Sequence, residues 1–340
     1  MTAQPAEDWR PACTLQTLHV RAAMLRSIRE FFHRHSYMEV DTPCLSRDIV
    51  VDAHLEPFQM TMGTTRWFLQ TSPEAHMKRL LATGSGSIFQ VSRVFRNDEW
   101  GDRHNHEFSM IEWYGVGSTW TQQLEFTESL VRTAVQAAAE IGTVPPCLWP
   151  ETPFACTTYA QAFEAMLGLN VHRANVEELQ RAAQRLNIPL PETGPDPGVD
   201  ELRNLLLAVV IEPQLGEREG REFPEFLCHY PPTQAALAVV TDTEPPVARR
   251  FELYIRGIEL CNGYQELTDP VELARRDVVQ NQGRKLDDRQ ELPGAPRLLL
   301  AMQAGLPDCS GVALGFDRLV MIATGAARID DVMPFPGNRA

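Results

Sequence analysis

The amino-acid sequence predicts an α+β fold, an antiparallel β-sheet flanked by helices. Two observations carry this. From Thr14 to Ser36, Leu18, Ala22, Leu25, Ile28 and Phe32 recur at three- and four-residue spacing, the period of an amphipathic helix. Residues 87–95 (SIFQVSRVF) and 108–115 (FSMIEWYG) are rich in β-formers and are separated by the polar residues 97–107, the pattern of a long-looped antiparallel hairpin. With 340 residues and a hydrophobic share of 44%, the chain can bury one large core or two modest ones.

Taken in order, the N-terminal helix is followed by YMEV, a short strand, and by Asp41-Thr42-Pro43. In the hairpin, period two places Phe108, Met110, Glu112 and Tyr114 on one face and Ser109, Ile111 and Trp113 on the other. The first face carries a carboxylate and a phenol. A buried carboxylate needs a partner, so a ligand site suits that face better than a dry core. Helical patterns return at 120–141 and 174–186, and residues 186–200, dense in proline and glycine, read as loop. Residues from about 140 to 225 read as a mainly helical insertion in a single catalytic domain spanning 1–340.

The seven cysteines (Cys13, Cys44, Cys147, Cys156, Cys228, Cys261 and Cys309) are scattered without a CxxC pair. They indicate reduced, mostly buried thiols, not a disulfide framework or structural zinc. His104 and His106 lack further ligands at suitable spacing. The N-terminus has no secretory pattern and no apolar run is long enough to cross a bilayer, so the cytoplasm is the expected compartment. A formal net charge of −14 weighs against a nucleic-acid partner, although Lys78, Arg79, Arg93, Arg96 and Arg103 offer a local basic patch.

No P-loop motif occurs, and Gly84 with Gly86 does not make a dinucleotide fingerprint, so a nucleotide would have to lie on the sheet. Glu252 and Glu259 are seven apart, which puts them on opposite faces of an uninterrupted strand. A turn or bulge at Arg256-Gly257 would bring them together.

FRNDEWGDRHNHEFSMIEWY (95–114) and SGVALGFDRLVMI (310–322) resemble motifs 2 and 3 of the class II aminoacyl-tRNA synthetases, and the N-terminal helix, strand and proline resemble motif 1, the dimer-forming element of that family. The resemblance implies the class II catalytic fold, a homodimer, and amino-acid activation by ATP with Mg2+. Arg96 falls at the motif 2 arginine that grips the α-phosphate and substrate carboxylate, where a planar guanidinium can donate to two anions at once. Arg318 falls at the second catalytic arginine, on the terminal phosphates. Asn97, Asp98, His104, Asn105, Phe108, Glu259, Leu260 and Gly315 match further ATP-binding positions, with Phe108 where an aromatic ring stacks on adenine. The family usually has glutamate where this chain has Asp98, and this departure implies a shifted or weaker adenine contact.

Within the family the chain resembles the lysyl branch. There Glu252 and Glu259 match metal-binding glutamates, and Asn262 and Glu266, with Tyr114, match residues that read the side-chain amine. Glu74 matches the residue that receives the other amino group. Ser72 and Pro73 belong to its loop, and Glu112 and Ala313 complete the substrate-binding set. A lysyl-tRNA synthetase carries an anticodon-binding domain ahead of motif 1, whereas here motif 1 begins almost at the N-terminus, so no such domain is expected. TSPEAHMKRL, HNHEFSMIEWY, GIELCNGYQELTD and LPDCSGVALGFDRL are similar to segments of the elongation factor P (R)-β-lysine ligases. That resemblance implies activation of (R)-β-lysine and its transfer to a lysine of elongation factor P, with no stable tRNA partner. Two alternatives stay open: a free-standing lysyl-type enzyme with a tRNA or small-molecule acceptor, and a non-catalytic regulatory paralogue.

Overall fold

The structure is a computed structural model and describes residues 9–141, 152–190, 198–218 and 220–340. The first stretch holds α1 (Leu15–Arg34), β1 (Met38–Glu39), β2 (Leu45–Ser46), β3 (Gln59–Met62), β4 (Thr65–Leu69), α2 (Glu74–Ala82), β5 (Ile88–Phe95), β6 (Glu107–Val116) and α3 (Trp120–Ala139). Next come β7 (Ala155–Thr158), α4 (Tyr159–Leu167), α5 (Val176–Arg185), α6 (Val199–Leu206), β8 (Glu217–Arg218), β9 (Arg221–Glu222), β10 (Glu225–Tyr230), β11 (Ala248–Ile255) and β12 (Ile258–Gln265). The chain ends with α7 (Pro270–Leu286), α8 (Pro296–Gly305), β13 (Cys309–Gly315) and α9 (Phe316–Thr324). Packing divides the chain into two compact units, one of residues 1–148 with 267–340 and one of residues 149–266. Among the described residues no helix is long and apolar enough to cross a membrane.

In the first unit the strands β1, β5, β6 and β13 lie side by side, β1 parallel to β5 and the others antiparallel. The Trp113 face of β6 is core. Trp113 is fully buried, lies 5.5 Å from Phe32 of α1, and its indole N–H finds Gln123 of α3 at 2.7 Å. Phe32 in turn stacks on Phe89 of β5 at 4.2 Å. Rings of this size each contribute on the order of 2–3 kcal/mol by burial, and the indole keeps its hydrogen bond.

The expected N-terminal helix is present, but its buried stripe is Val20, Met24, Ile28 and Phe32, and Ala22 is exposed. Several apolar stripes fit the same period, and packing on α3 and α9 selects one. The segment read as loop to residue 200 becomes helical at Val199; residues 191–197 lie outside the described residues.

Asp317 ties three elements of this unit together. It is 1% exposed, accepts the backbone N–H of Ser109 on β6 at 2.6 Å, and lies 2.7 Å from the Arg21 guanidinium of α1. Arg21 also donates to the Val332 carbonyl at 2.9 Å. A second buried cation, Arg284 of α7, donates to the carbonyls of Asp52, Leu55 and Gln290 and to the Glu56 carboxylate. The Glu56 carbonyl accepts the N–H of Asn97, so this arginine steadies the segment on which the loop after β5 begins.

The second unit orders its strands β7, β10, β11 and β12. Helices α4 and α5 each start in a capping box, Thr158 with Gln161 and Asn175 with Glu178, which satisfies otherwise orphaned N–H groups. Phe163, Leu202, Leu206, Leu227 and Tyr254 form the core of this unit. Of the thiols expected to be mostly buried, Cys13, Cys228, Cys261 and Cys309 are buried, whereas Cys44 and Cys156 are exposed and Cys147 lies outside the described residues.

Because Asp317 is a buried charge paired with a buried arginine, its loss strands Arg21 without a counter-ion. Asp317→Ala is expected to lower unfolding free energy by about 3–5 kcal/mol in urea titration; a loss under about 1 kcal/mol would show that the pair does not hold these elements together.

Candidate active site

Arg96 directly follows β5, and its backbone pairs with His106 at the other end of the loop, N–H to carbonyl at 2.9 Å. Its guanidinium lies 5.1 Å from the centre of the Phe108 ring and donates to Glu99 at 3.0 Å. Its Nε is buried and has no hydrogen-bond acceptor among the described residues. A buried guanidinium donor left unmatched costs about 1–3 kcal/mol, so the position suits an anionic oxygen supplied by a ligand.

The loop itself is held from several sides. Trp100 packs on His106 at 5.0 Å. Asn105 donates to the Glu107 carbonyl at 2.6 Å and accepts Gly337 N–H at 3.0 Å, so both ends of its amide are engaged. Asn97 is exposed, and Asp98, the residue that departs from the family pattern, pairs with Arg289 at 3.1 Å. Glu99 is the acid that reaches Arg96.

Arg318 occupies the first turn of α9, three residues after Gly315 and next to Asp317. Its guanidinium lies 2.6 Å from His104 Nε2 and donates to the Arg103 carbonyl at 3.3 Å. For that contact His104 must be neutral and accept. Burial first, and the Arg318 charge second, hold its pKa below the ordinary histidine value.

The Glu112 face carries a connected set of polar groups. Glu112 is 2% exposed; Ser72 donates to one of its oxygens at 2.7 Å and Tyr114 to the other at 2.6 Å. Ser72 also accepts the N–H of Glu74, which begins α2. The register sets Ala313 opposite Glu112, Gly311 opposite Tyr114 and Gly315 opposite Met110, so β13 offers small residues beside each large one. Lys78, placed by sequence in a basic surface patch, is instead 2% exposed and donates to Glu74 at 2.5 Å. One turn of helix separates the two, and a buried ammonium needs such a partner.

In the second unit, β11 and β12 form a hairpin whose turn is Arg256-Gly257, both with positive φ, 53° and 63°. A register shift follows between Leu253 and Tyr254. Together these set Glu259 opposite Tyr254 and Asn262 opposite Glu252, so both acids lie on one face, as the spacing argument required of a turn or bulge. Gly263 is needed because a Cβ there would come within 2.3 Å of the Phe251 ring. Leu260 on this strand and Glu266 just after its end are buried.

Glu252 is surrounded by donors: Tyr230 and Tyr254 on one oxygen, Arg250 and Asn262 on the other. Burial first, and the Glu252 charge second, raise both phenol pKa values, so these tyrosines stay protonated donors. Two carboxylates on one hairpin face suit a hard divalent cation in donor type. The donor type fits at both positions, but both oxygens of Glu252 are already engaged by four protein donors. Among the described residues no group of three or more His, Cys, Asp or Glu is arranged to hold a metal.

The tRNA synthetases class II (D, K and N) match residues 4–339 of the chain. The chain belongs to this class II synthetase family. It is 41% identical to a protein of Pseudoalteromonas translucida (strain TAC 125), 40% to one of Yersinia enterocolitica and 39% to one of Salmonella arizonae, in each case over 98% of both chains. All three relatives bear the name elongation factor P–(R)-beta-lysine ligase. The α+β class II fold expected from the hairpin and the motifs is the fold of this synthetase family.

Several residues of this class II synthetase escaped the sequence reading. Lys78 was visible as a basic residue four after Glu74, but its burial was not. Arg250, Tyr230 and Tyr254, which hold Glu252, carry no motif of their own. Arg250 and Tyr254 could have been found by their period-two relation to Glu252 on one strand.

His104 generates a pH dependence. With its folded pKa depressed, the folded protein binds fewer protons than the unfolded chain, so stability rises with pH through the window below the ordinary value of about 6.5 and falls on acidification. Replacing His104 with Gln is expected to reduce the drop in urea midpoint between about pH 7.5 and 5 relative to the parent; an unchanged drop would assign the acid sensitivity to other groups.

Proposed function

We propose that this chain activates (R)-β-lysine with ATP and transfers it to the ε-amine of a lysine on elongation factor P. Two orphaned buried groups support a ligand of this chemistry most directly. Arg96 Nε calls for an anion, and Asn262 Oδ1, which has no hydrogen-bond partner among the described residues, calls for a donor such as an ammonium. The name shared by relatives about 40% identical over almost their full length supports the identity of substrate and acceptor.

In the first step a carboxylate oxygen of the diamino acid attacks the α-phosphorus of ATP, the bond to the bridging oxygen breaks, and pyrophosphate leaves. Arg96 lies between the two anions and spreads the charge that builds up as they meet. Arg318 exchanges His104 for the terminal phosphates, and Phe108 and the loop residues Asn97, Asp98, His104 and Asn105 cover the nucleotide. Glu259 and Glu252 would hold a Mg2+ ion bound with ATP, Glu252 only by giving up one of its four donors, and the ion would shield the phosphate charge. Glu74 takes the β-ammonium, and Asn262, Glu266 and Tyr114 take the side-chain ammonium.

In the second step the acceptor ε-amine attacks the adenylate carbonyl, and AMP leaves with the mixed-anhydride oxygen. The amine, with an ordinary pKa near ~10.4, first gives up its proton to solvent water. The enzyme acts in the cytoplasm as a homodimer built on α1, without a stable tRNA partner.

Intact-mass analysis of purified elongation factor P after incubation with enzyme, ATP and either lysine isomer tests this reading. Addition of one β-lysyl group is expected; no adduct with either isomer would sink it. A narrower expectation concerns Ala313, whose methyl lies opposite Glu112 and takes space where typical lysyl synthetases have glycine. Ala313→Gly is expected to raise ATP–pyrophosphate exchange with α-lysine relative to β-lysine, and an unchanged ratio would defeat the steric account.

A further inference from the structure

A primary amide shows two donors on one side and an acceptor on the other, and which side faces a ligand decides whether it attracts or repels an ammonium. Asn262 donates through Nδ2 to Glu252 Oε1 at 3.1 Å, and its Oδ1 is buried without a partner among the described residues. Glu252 can only accept. With the amide reversed, two oxygens would meet at that separation, so the carboxylate selects one orientation.

Glu252 is itself held in place. Tyr254 donates to Oε2 at 2.6 Å, Tyr230 donates to the same oxygen, and Arg250 donates to Oε1. Arg250 lies over the Tyr230 ring at 4.3 Å and balances the Glu252 charge, so this carboxylate does not itself draw in the ammonium.

We propose that Glu252 is a positioning residue for amine recognition, locking the Asn262 amide so that its carbonyl oxygen is presented to the side-chain ammonium of the diamino acid. This rests on the reading that Asn262 contacts that ammonium. Glu252 acts through Asn262, and the specificity it confers is for a substrate with a second amine over one without.

The test replaces the ion pair as a unit, Arg250→Met with Glu252→Met, which removes both charges at similar volume and leaves neither stranded. The KM in ATP–pyrophosphate exchange is expected to rise roughly tenfold or more for β-lysine and to stay unchanged for 3-aminohexanoic acid, which lacks the side-chain amine. Asn262→Ala is expected to show the same selective rise, and adding it to the double variant is expected to cost nothing further. If Asn262→Ala raises the β-lysine KM but the ion-pair variant does not, or alters only the Mg2+ concentration needed for half-maximal rate, the inference falls and the amine reading stands. If Asn262→Ala has no effect on β-lysine, the amine reading itself falls. Should the ion-pair variant not fold, a crystal structure of the parent enzyme with β-lysine and Mn2+ decides. The ammonium on Asn262 Oδ1, with Nδ2 still on Glu252, supports the proposal; the ammonium, or a metal at about 2.5 Å or less, directly on the Glu252 carboxylate overturns it.

Discussion

Asp317 is the constraint on which the first unit depends. Its carboxylate meets Arg21 from α1 and the Ser109 backbone from β6, and it belongs to the first turn of α9. A buried charge held by these groups cannot shift without leaving one of them unpaired, so it couples the three elements. Arg318 follows it directly in sequence, and Phe108 directly precedes Ser109. Two of the groups read as nucleotide contacts, Arg318 and Phe108, thus flank this ionic node along the backbone.

The same economy of partners governs three further acids. Glu112 is satisfied by Ser72 and Tyr114, Glu74 is paired with Lys78, and Glu252 has four donors. Buried carboxylates without such partners would take up protons and lose their use as fixed charges. Arg96 Nε and Asn262 Oδ1 are among the buried atoms whose bonding the described residues leave incomplete, and both belong to residues read as ligand contacts.

Much of the fold was legible because it rests on local rules. The hairpin of β5 and β6 shows in the alternation through Glu112 and Trp113, and the turn at Arg256-Gly257 follows from two β-rich runs that must reverse. The site was legible as a set of residue types in family order, since Arg96, Glu259 and Arg318 each stand in a motif. What the alternation could not tell was how Glu112 is satisfied: Ser72 comes from a different element, so the partner is a property of packing. The apolar stripe of α1 went astray for a related reason, because Ala22 and Met24 both fit a helical period and only the neighbouring helices choose between them.

By itself, the sequence determined which stretches are helix, strand or turn and which charged groups are available, because backbone preference and side-chain chemistry act over a few residues. Tertiary structure alone decided what those charges do. Lys78 became a buried counter-ion instead of part of a basic patch, and Asp98 turned to Arg289 while Glu99 took Arg96. Glu252 became enclosed by donors from two strands besides its own. A carboxylate's role depends on whether its lone pairs face a protein donor or open space, and that is settled by residues distant in the chain, as with Arg21 and Asp317, which meet only when the fold closes.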